Sequence, residues 1–201
     1  MNNIKAIIFD IGGVVTFTDF DQLHINFGKR IGVSPEFIAA YHKNNWEAHL
    51  LGDISLKKFF EDMQPSDKPP IADMQSQWLE EAVALRKINT ELLEIIKKLR
   101  KQYKVGVLTN LTPSRLLLDN HSGLYNYFDF AVLSHKERLK KPDPEFYKLA
   151  LEKADVSPSE AVLVDDLERN IIAAEALGIK TVLYKDNQNL LEQLGKLGVE
   201  V

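Results

Sequence analysis

Five short apolar runs recur along the chain, at Lys5–Phe9, Val105–Thr109, Phe130–Leu133, Ala161–Val164 and Thr181–Tyr184. Each is continuous rather than alternating, the pattern of strands covered on both faces, and this predicts a parallel sheet. Segments with helical spacing separate them. Thr90 opens one, with Leu92, Leu93, Ile95, Ile96 and Leu99 as its apolar stripe. Asp143 and Pro144 open a second, whose buried face is Phe146, Tyr147, Leu149, Ala150 and Leu151. The third carries Ile171, Ile172, Ala174 and Leu177 and stops at Gly178, a C-cap residue.

Between Thr16 and Lys87 the rhythm breaks. No convincing strand is visible there, and the pattern predicts helices at Asp19–Arg30, Pro35–His49, Ser55–Met63 and Ile71–Leu85, punctuated by Gly52 and Pro65–Pro70. A parallel crossover needs only one helix, so four in succession predict an insertion rather than ordinary crossovers. The expected architecture is α/β: a Rossmann-like, doubly wound parallel sheet of five strands (residues 1–15 and 88–201) carrying an inserted α-helical cap (residues 16–87).

Composition narrows the function. The 201 residues carry 25 basic and 29 acidic side chains, and 45% are hydrophobic, enough to bury a core. A pI near 5.8 and the lack of a basic tail give no sign of a nucleic-acid binder. Zero cysteines exclude a disulfide scaffold, a thiolate metal site and a cysteine nucleophile. MNNIKAIIFD lacks the features of a secretory signal, and no run approaches the roughly 18 apolar residues of a membrane span. The expected setting is cytoplasmic, with no membrane partner, as a monomer or weak dimer.

Ligands of open parallel sheets bind beyond the carboxyl ends of the strands. There the sequence delivers Asp10 after the first run, Thr109-Asn110 after the second, Lys141 after the third and Asp165-Asp166 after the fourth. Taken singly, each has a plain structural explanation: a turn at Asp10-Ile11-Gly12-Gly13, helix caps at Thr109-Asn110 and Asp165-Asp166, a solvated pair at Lys140-Lys141. Together, two acids, a hydroxyl and a cation on one rim form a phosphate-handling set, provided Mg²⁺ or a lysine relieves the repulsion between Asp10 and Asp165-Asp166. Lys141 can hold phosphate or orient Asp10.

These residues resemble the motifs of the haloacid dehalogenase superfamily, in its phosphatase-like branch with a helical cap after the first strand. IIFDIGGVV is similar to the first motif, VGVLTN to the second, KKPDPEFY to the lysine motif and AVLVDDLERNIIAAEALGI to the acidic fourth. The resemblance implies that Asp10 is the nucleophile, forming an aspartyl-phosphate that water then hydrolyses. It implies Mg²⁺ on Asp10, Asp166 and the backbone carbonyl of Gly12, with Asp165 assisting from behind or pairing Lys141. Thr109, Asn110, Gly12 and Lys141 are the implied substrate-binding residues.

One position departs from the family. Its phosphatases carry a second aspartate two residues after the nucleophile, which protonates the leaving oxygen; here that position is Gly12. Such acid–base help is worth about 10²–10⁴-fold, a loss that leaves catalysis possible. Gly12 therefore points to leaving groups that need little protonation, such as a hexose 1-phosphate, and the expected partner is a small phosphorylated metabolite. Asp19, Asp21, Glu47 and His49 are candidates for a replacement acid by location. Two other functions compete: a metal-independent 2-haloacid dehalogenase, and a non-catalytic pseudophosphatase that binds a phospholigand.

In the cap, Asn44, Asn45, Trp46 and His49 share the helix before Gly52. Trp46 could stack on a sugar, but helical spacing places it, like Trp78, Phe59 and Phe60, in the core. His24, His42, His121 and His135 lack metal-ligand spacing and are expected to be structural or at the surface. Gly12-Gly13 and the segment near Asn89 are the expected hinges.

Overall fold

A computed structural model describes residues 4–65 and 69–201; residues 66–68, part of the expected Pro65–Pro70 break, lie outside the described residues, as do 1–3. The elements in chain order are β1 (Ala6–Phe9), β2 (Thr16–Thr18), α1 (Phe20–Ile31), α2 (Pro35–Leu50), α3 (Leu56–Met63), α4 (Ile71–Leu85) and β3 (Arg86–Ile88). They continue with α5 (Thr90–Leu99), β4 (Lys104–Thr109), α6 (Pro113–His121), β5 (Phe130–Leu133), α7 (Ser134–Glu137) and α8 (Pro144–Ala154). The chain closes with β6 (Ala161–Asp165), α9 (Glu168–Glu175), β7 (Lys180–Leu183) and α10 (Asn187–Lys196).

All five strands expected for the main sheet are present, parallel, in the order β5-β4-β1-β6-β7. The continuous apolar runs divide between two faces as a pleat requires. Ile7, Phe9, Val105, Val107, Val162 and Val164 pack against α5 and α10, whose contributions include Leu92, Ile96, Leu190 and Leu194. Ile8, Leu108 and Leu163 pack on the other face, with Phe146 and Ala150 of α8 and Ala174 of α9. Gly106, inside β4, makes room for a ring: a Cβ there would lie 2.1 Å from Cζ of Phe130.

The inserted helices form a third cluster from Leu23, Phe27, Ile38, Phe59, Phe60, Met63, Met74 and Trp78, closed from the sheet side by Leu118 of α6. Their starts follow the sequence: Asp19, Ser34 and Ser55 each accept a backbone N–H in the first turn. One expectation needs correction: the stretch Thr16–Lys87 does contain strand residues, because β2 and β3 pair antiparallel with Thr16 opposite Ile88. Three residues are too few for a periodic signal to emerge. Thr90 opens α5 as expected, and Asn89 caps it, its side chain accepting from Leu92 N–H at 3.1 Å. Helix α9 is closed by Gly178 as expected: at φ +81° its N–H donates to Glu175 O at 2.9 Å, and Ile179 N–H donates to Ala174 O at 3.2 Å.

Candidate active site

Parallel strands align the ends of β1, β4 and β6 side by side, and the side chains that follow them meet in a pocket of about 340 Å³. Asp10, buried just beyond β1, accepts Ile11 N–H on Oδ1 at 2.7 Å and pairs through Oδ2 with Lys141 Nζ at 3.0 Å. The same ammonium reaches Asp165 Oδ2 at 2.6 Å. Lys141 is only 3% exposed, so the solvated-pair alternative fails for it; its neighbour Lys140 does lie outside, paired with Glu47 at 2.8 Å. Burial lowers the basicity of Lys141, but the two carboxylates outweigh it and its pKa is raised, which keeps it charged.

Asp165 is fully buried and fully committed. Its Oδ1 accepts from Leu167 N–H at 2.9 Å and Asn170 Nδ2 at 2.8 Å, and its Oδ2 accepts from Lys141. Asp166 differs: its buried Oδ1 has no partner among the described residues, and burial, reinforced by Asp10 and Asp165, pushes its pKa up. Carboxylate oxygens of Asp10, Asp165 and Asp166 all lie within 4.8 Å of one another. Three acids sharing one lysine, with an orphaned oxygen between them, is the donor set a hard divalent cation takes, so the residues fit a metal. Gly13 makes this approach possible: at φ +82°, a Cβ there would stand 2.2 Å from Asp166 Oδ2.

Thr109 is buried and lines the pocket, as do Gly12 and Asn110. The Asn110 side chain spans the backbone of Lys141, donating to its carbonyl at 2.9 Å and accepting its N–H at 2.8 Å. That clamp sets where the lysine enters. The helix caps lie elsewhere, at Thr112 for α6 and Leu167 for α9, so neither Thr109-Asn110 nor Asp166 is spent on capping.

None of the four proposed replacement acids lines this pocket. Asp19 caps α1, Asp21 lies in its first turn, Glu47 pairs with Lys140, and His49 is buried among Tyr41, His42 and Phe59. Trp78, Phe59 and Phe60 are core, as expected. Trp46 is not: it is 44% exposed and lines both the pocket and an adjoining cavity of about 240 Å³. Phe20, Leu23 and Trp78 make that cavity largely apolar, and His24 and His42, stacked with ring centroids 4.7 Å apart, complete one wall.

Sequence reasoning missed Ser134, Arg115 and the rim residues Leu167 and Arg169. Ser134 is buried and pins the loop after β4, its Oγ accepting Leu111 N–H at 2.9 Å. For Arg115 a signal existed, because Thr112-Pro113 announces a helix starting just after a strand end, and the first turn of such a helix faces the ligand rim.

A family model for haloacid dehalogenase-like hydrolases matches residues 4–178. The chain is 30% identical over 204 residues to a D-ribitol-5-phosphate phosphatase of Bacteroides thetaiotaomicron, covering 95% of this chain and 97% of that one. It is 27% identical to the sesquiterpene phosphatase astK of Aspergillus oryzae, covering 96% of both. Among solved structures, a HAD-family enzyme of Bacteroides thetaiotaomicron in its magnesium complex superposes with a TM-score of 0.78 at 26% identity, over 94% of this chain and 98% of that one. Other curated relatives are longer, and the chain spans 40% of a bifunctional epoxide hydrolase 2 from Sus scrofa. With the strand-end acids, the lysine between them and this match over most of its length, the chain belongs to the haloacid dehalogenase-like hydrolases.

Proposed function

We propose that the protein is a magnesium-dependent phosphomonoesterase working through an aspartyl-phosphate, with residues 1–15 and 88–201 as its hydrolase core and 16–87 as a cap over the site. The observation that carries this reading is the acid cluster itself, with Lys141 hydrogen-bonded to Asp10 and Asp165 while Asp166 keeps an unpartnered oxygen. Asp10, Asp166 and the Gly12 backbone carbonyl would hold the ion, and Asp165, its oxygens already committed, supports from behind. Bound there, Mg²⁺ supplies charge neutralisation for the carboxylates and for a phosphoryl oxygen.

The chain's own residues account for the rest. Ile11 N–H and Lys141 fix the Asp10 carboxylate, so one of its oxygens is oriented for attack on phosphorus. Thr109 Oγ1 and Lys141 receive the phosphoryl oxygens, where charge resides as the bond to the alcohol loosens. Asn110 holds Lys141 in register through its backbone. Water then cleaves the acyl phosphate and restores Asp10. A metal-free dehalogenase has less support, because it would leave three neighbouring carboxylates with one lysine among them. A silent binding protein has less support because Asp10, Thr109, Lys141 and Asp166 all line one pocket.

Two alcohols compete for the rest of the substrate. The absent acid at Gly12 favours a phosphosugar with a stable leaving oxygen, such as a hexose 1-phosphate. The D-ribitol-5-phosphate phosphatase among the relatives supports a polyol body but handles a primary alkyl ester, so it does not support that leaving group. The apolar cavity beside the site favours an alcohol with an apolar body, and so does the sesquiterpene phosphatase. One panel tests both levels. Wild type is expected to turn over p-nitrophenyl phosphate with Mg²⁺ and not with EDTA, and Asp10→Asn to lose at least about 10³-fold. Within the panel, hexose 1-phosphates should exceed 6-phosphates; the reverse order defeats the leaving-group argument, and a lead for 1-naphthyl or prenyl phosphate selects the apolar alcohol. Metal-independent turnover, or none, overturns the phosphatase reading.

A further inference from the structure

Arg115 stands in the first turn of α6 and lines both the catalytic pocket and the apolar cavity. Its guanidinium fills the space beside Gly12: a Cβ at residue 12 would lie 2.6 Å from Arg115 Nη2. The group lies over the Phe20 ring, 4.9 Å from its centroid. Among the described residues it has no ion pair and no side-chain hydrogen bond. Asp119, the obvious candidate, is taken by Arg86 at 2.5 Å and by Tyr125 Oη at 2.7 Å. Asp119 and Asp10 act on Arg115 only through space. A half-buried guanidinium with no direct ion pair is costly to keep, and one facing a pocket is placed for an anion. Lys141 cannot serve that purpose alone, because it already bridges Asp10 and Asp165. The other cation at the pocket, Arg169, is exposed at the rim.

Geometry also selects which part of the anion Arg115 meets. The phosphoryl end belongs with Asp10, Thr109 and Lys141, while the cavity beyond Phe20 and Trp46 has room for the alcohol. The oxygen joining the two must lie where pocket and cavity meet, and Arg115 is one of the three residues shared by both. We propose that Arg115 is a further catalytic residue, its guanidinium donating hydrogen bonds to the leaving oxygen in the place where Gly12 provides no acid. The inference rests on the phosphatase reading above. An Asp10 oxygen forms the new bond to phosphorus, the phosphorus–alcohol bond breaks, and its electron pair stays on the alcohol oxygen against Arg115. Guanidinium keeps its proton throughout. The departing oxygen takes a proton from water, and the hydrolysis of the aspartyl-phosphate returns one, so ester and water give alcohol and phosphate.

The test is a leaving-group series, p-nitrophenyl, phenyl and primary alkyl phosphate, on wild type, Arg115→Lys and Arg115→Met with Mg²⁺. For Arg115→Met the loss in kcat/KM is expected to stay within about 10-fold on p-nitrophenyl phosphate and to grow to about 10²–10³-fold on the alkyl ester. Arg115→Lys, which keeps a charge, should fall between. The melting temperature of Arg115→Met should match or exceed that of wild type, since an unpaired charge is removed, whereas a structural arginine would lower it. A loss equal across the series, or no loss, overturns the proposal. If Arg115→Met does not fold, the slope of Arg115→Lys across the series decides: a loss that grows toward the alkyl ester supports the proposal, and an even loss or none overturns it. Failure of wild type to turn over p-nitrophenyl phosphate is a separate result that removes the phosphatase reading beneath it.

Discussion

Gly12 and Gly13 are adjacent, but their missing Cβ atoms leave room for opposite charges, a guanidinium at one and a carboxylate at the other. Gly13→Ala combines a left-handed backbone with a collision against Asp166, and strain of about 1–2 kcal/mol should accompany at least a 10-fold loss of Mg²⁺ affinity in a calorimetric titration. Gly12→Asp meets only the far end of a flexible arginine, so the fold should tolerate it. Restored activity does not follow. Beside Arg115 the new carboxyl stays ionised and takes the guanidinium out of use, so kcat/KM on p-nitrophenyl phosphate should drop by about 10-fold. In the double variant with Arg115→Met the carboxyl is free to protonate, and turnover of an alkyl phosphate should rise above that of Arg115→Met alone. Additive losses in this cycle would defeat the argument. Residues such as Asp10, Thr109 and Asp165 were legible because an apolar run ends beside each of them. Arg115 was legible only as far as the helix start at Thr112-Pro113, and Ser134 acts across loops, through a contact that no local pattern encodes.

Helix boundaries in the insertion were legible because Ser34, Ser55 and Asp19 announce their own helices, whereas β2 and β3 each become a strand only by pairing with the other. The ribbon they form adjoins the expected hinges: Gly13 N–H donates to Thr16 O at 2.9 Å, and Asn89 N–H to Val15 O at 2.9 Å. Within the helices, α2 places His42 against His24 of α1, against Phe59 of α3 and near His49 two turns on. Burial, then the neighbouring His24 and His49, pushes His42 down to about 3 from 6.5. His24 and His49 are lowered too, by burial, against partial opposition from Asp21 and Asp62. A histidine depressed in the fold binds its proton more readily unfolded, so stability is complete above pH 6.5 and drains away as pH falls toward 3. Between pH 7.5 and 5, His42 alone should cost about 2 kcal/mol, or roughly 4–8 °C in melting temperature. His42→Phe should flatten that dependence; an unchanged slope would show that the cluster is not its source.

At the scale of the whole molecule, the fold brings together acids more than 150 positions apart in sequence (Asp10 and Asp166) by making β1 and β6 neighbours. This convergence was legible because the strand-then-helix rhythm implies one sheet with one ligand-bearing edge. The apolar cavity was not legible, because the inserted helices and α6 build it jointly and no segment displays it alone. Gathering three carboxylates around one ammonium sets stability against function. The metal-free fold must hold Asp166 Oδ1 buried and unpartnered, a cost that an ion removes by mass action. At a Mg²⁺ concentration about 100 times its dissociation constant the gain is about 2.7 kcal/mol, roughly 5–10 °C for a chain of this size. Asp166→Asn removes the orphaned charge and keeps the shape of the side chain. In EDTA it should therefore melt at or above the wild-type temperature, and added Mg²⁺ should no longer shift it. Wild type must show the shift in the same scan. A variant that melts well below wild type in EDTA, or one that still responds fully to Mg²⁺, would mean that Asp166 is a structural acid and that the ion, if bound at all, sits elsewhere.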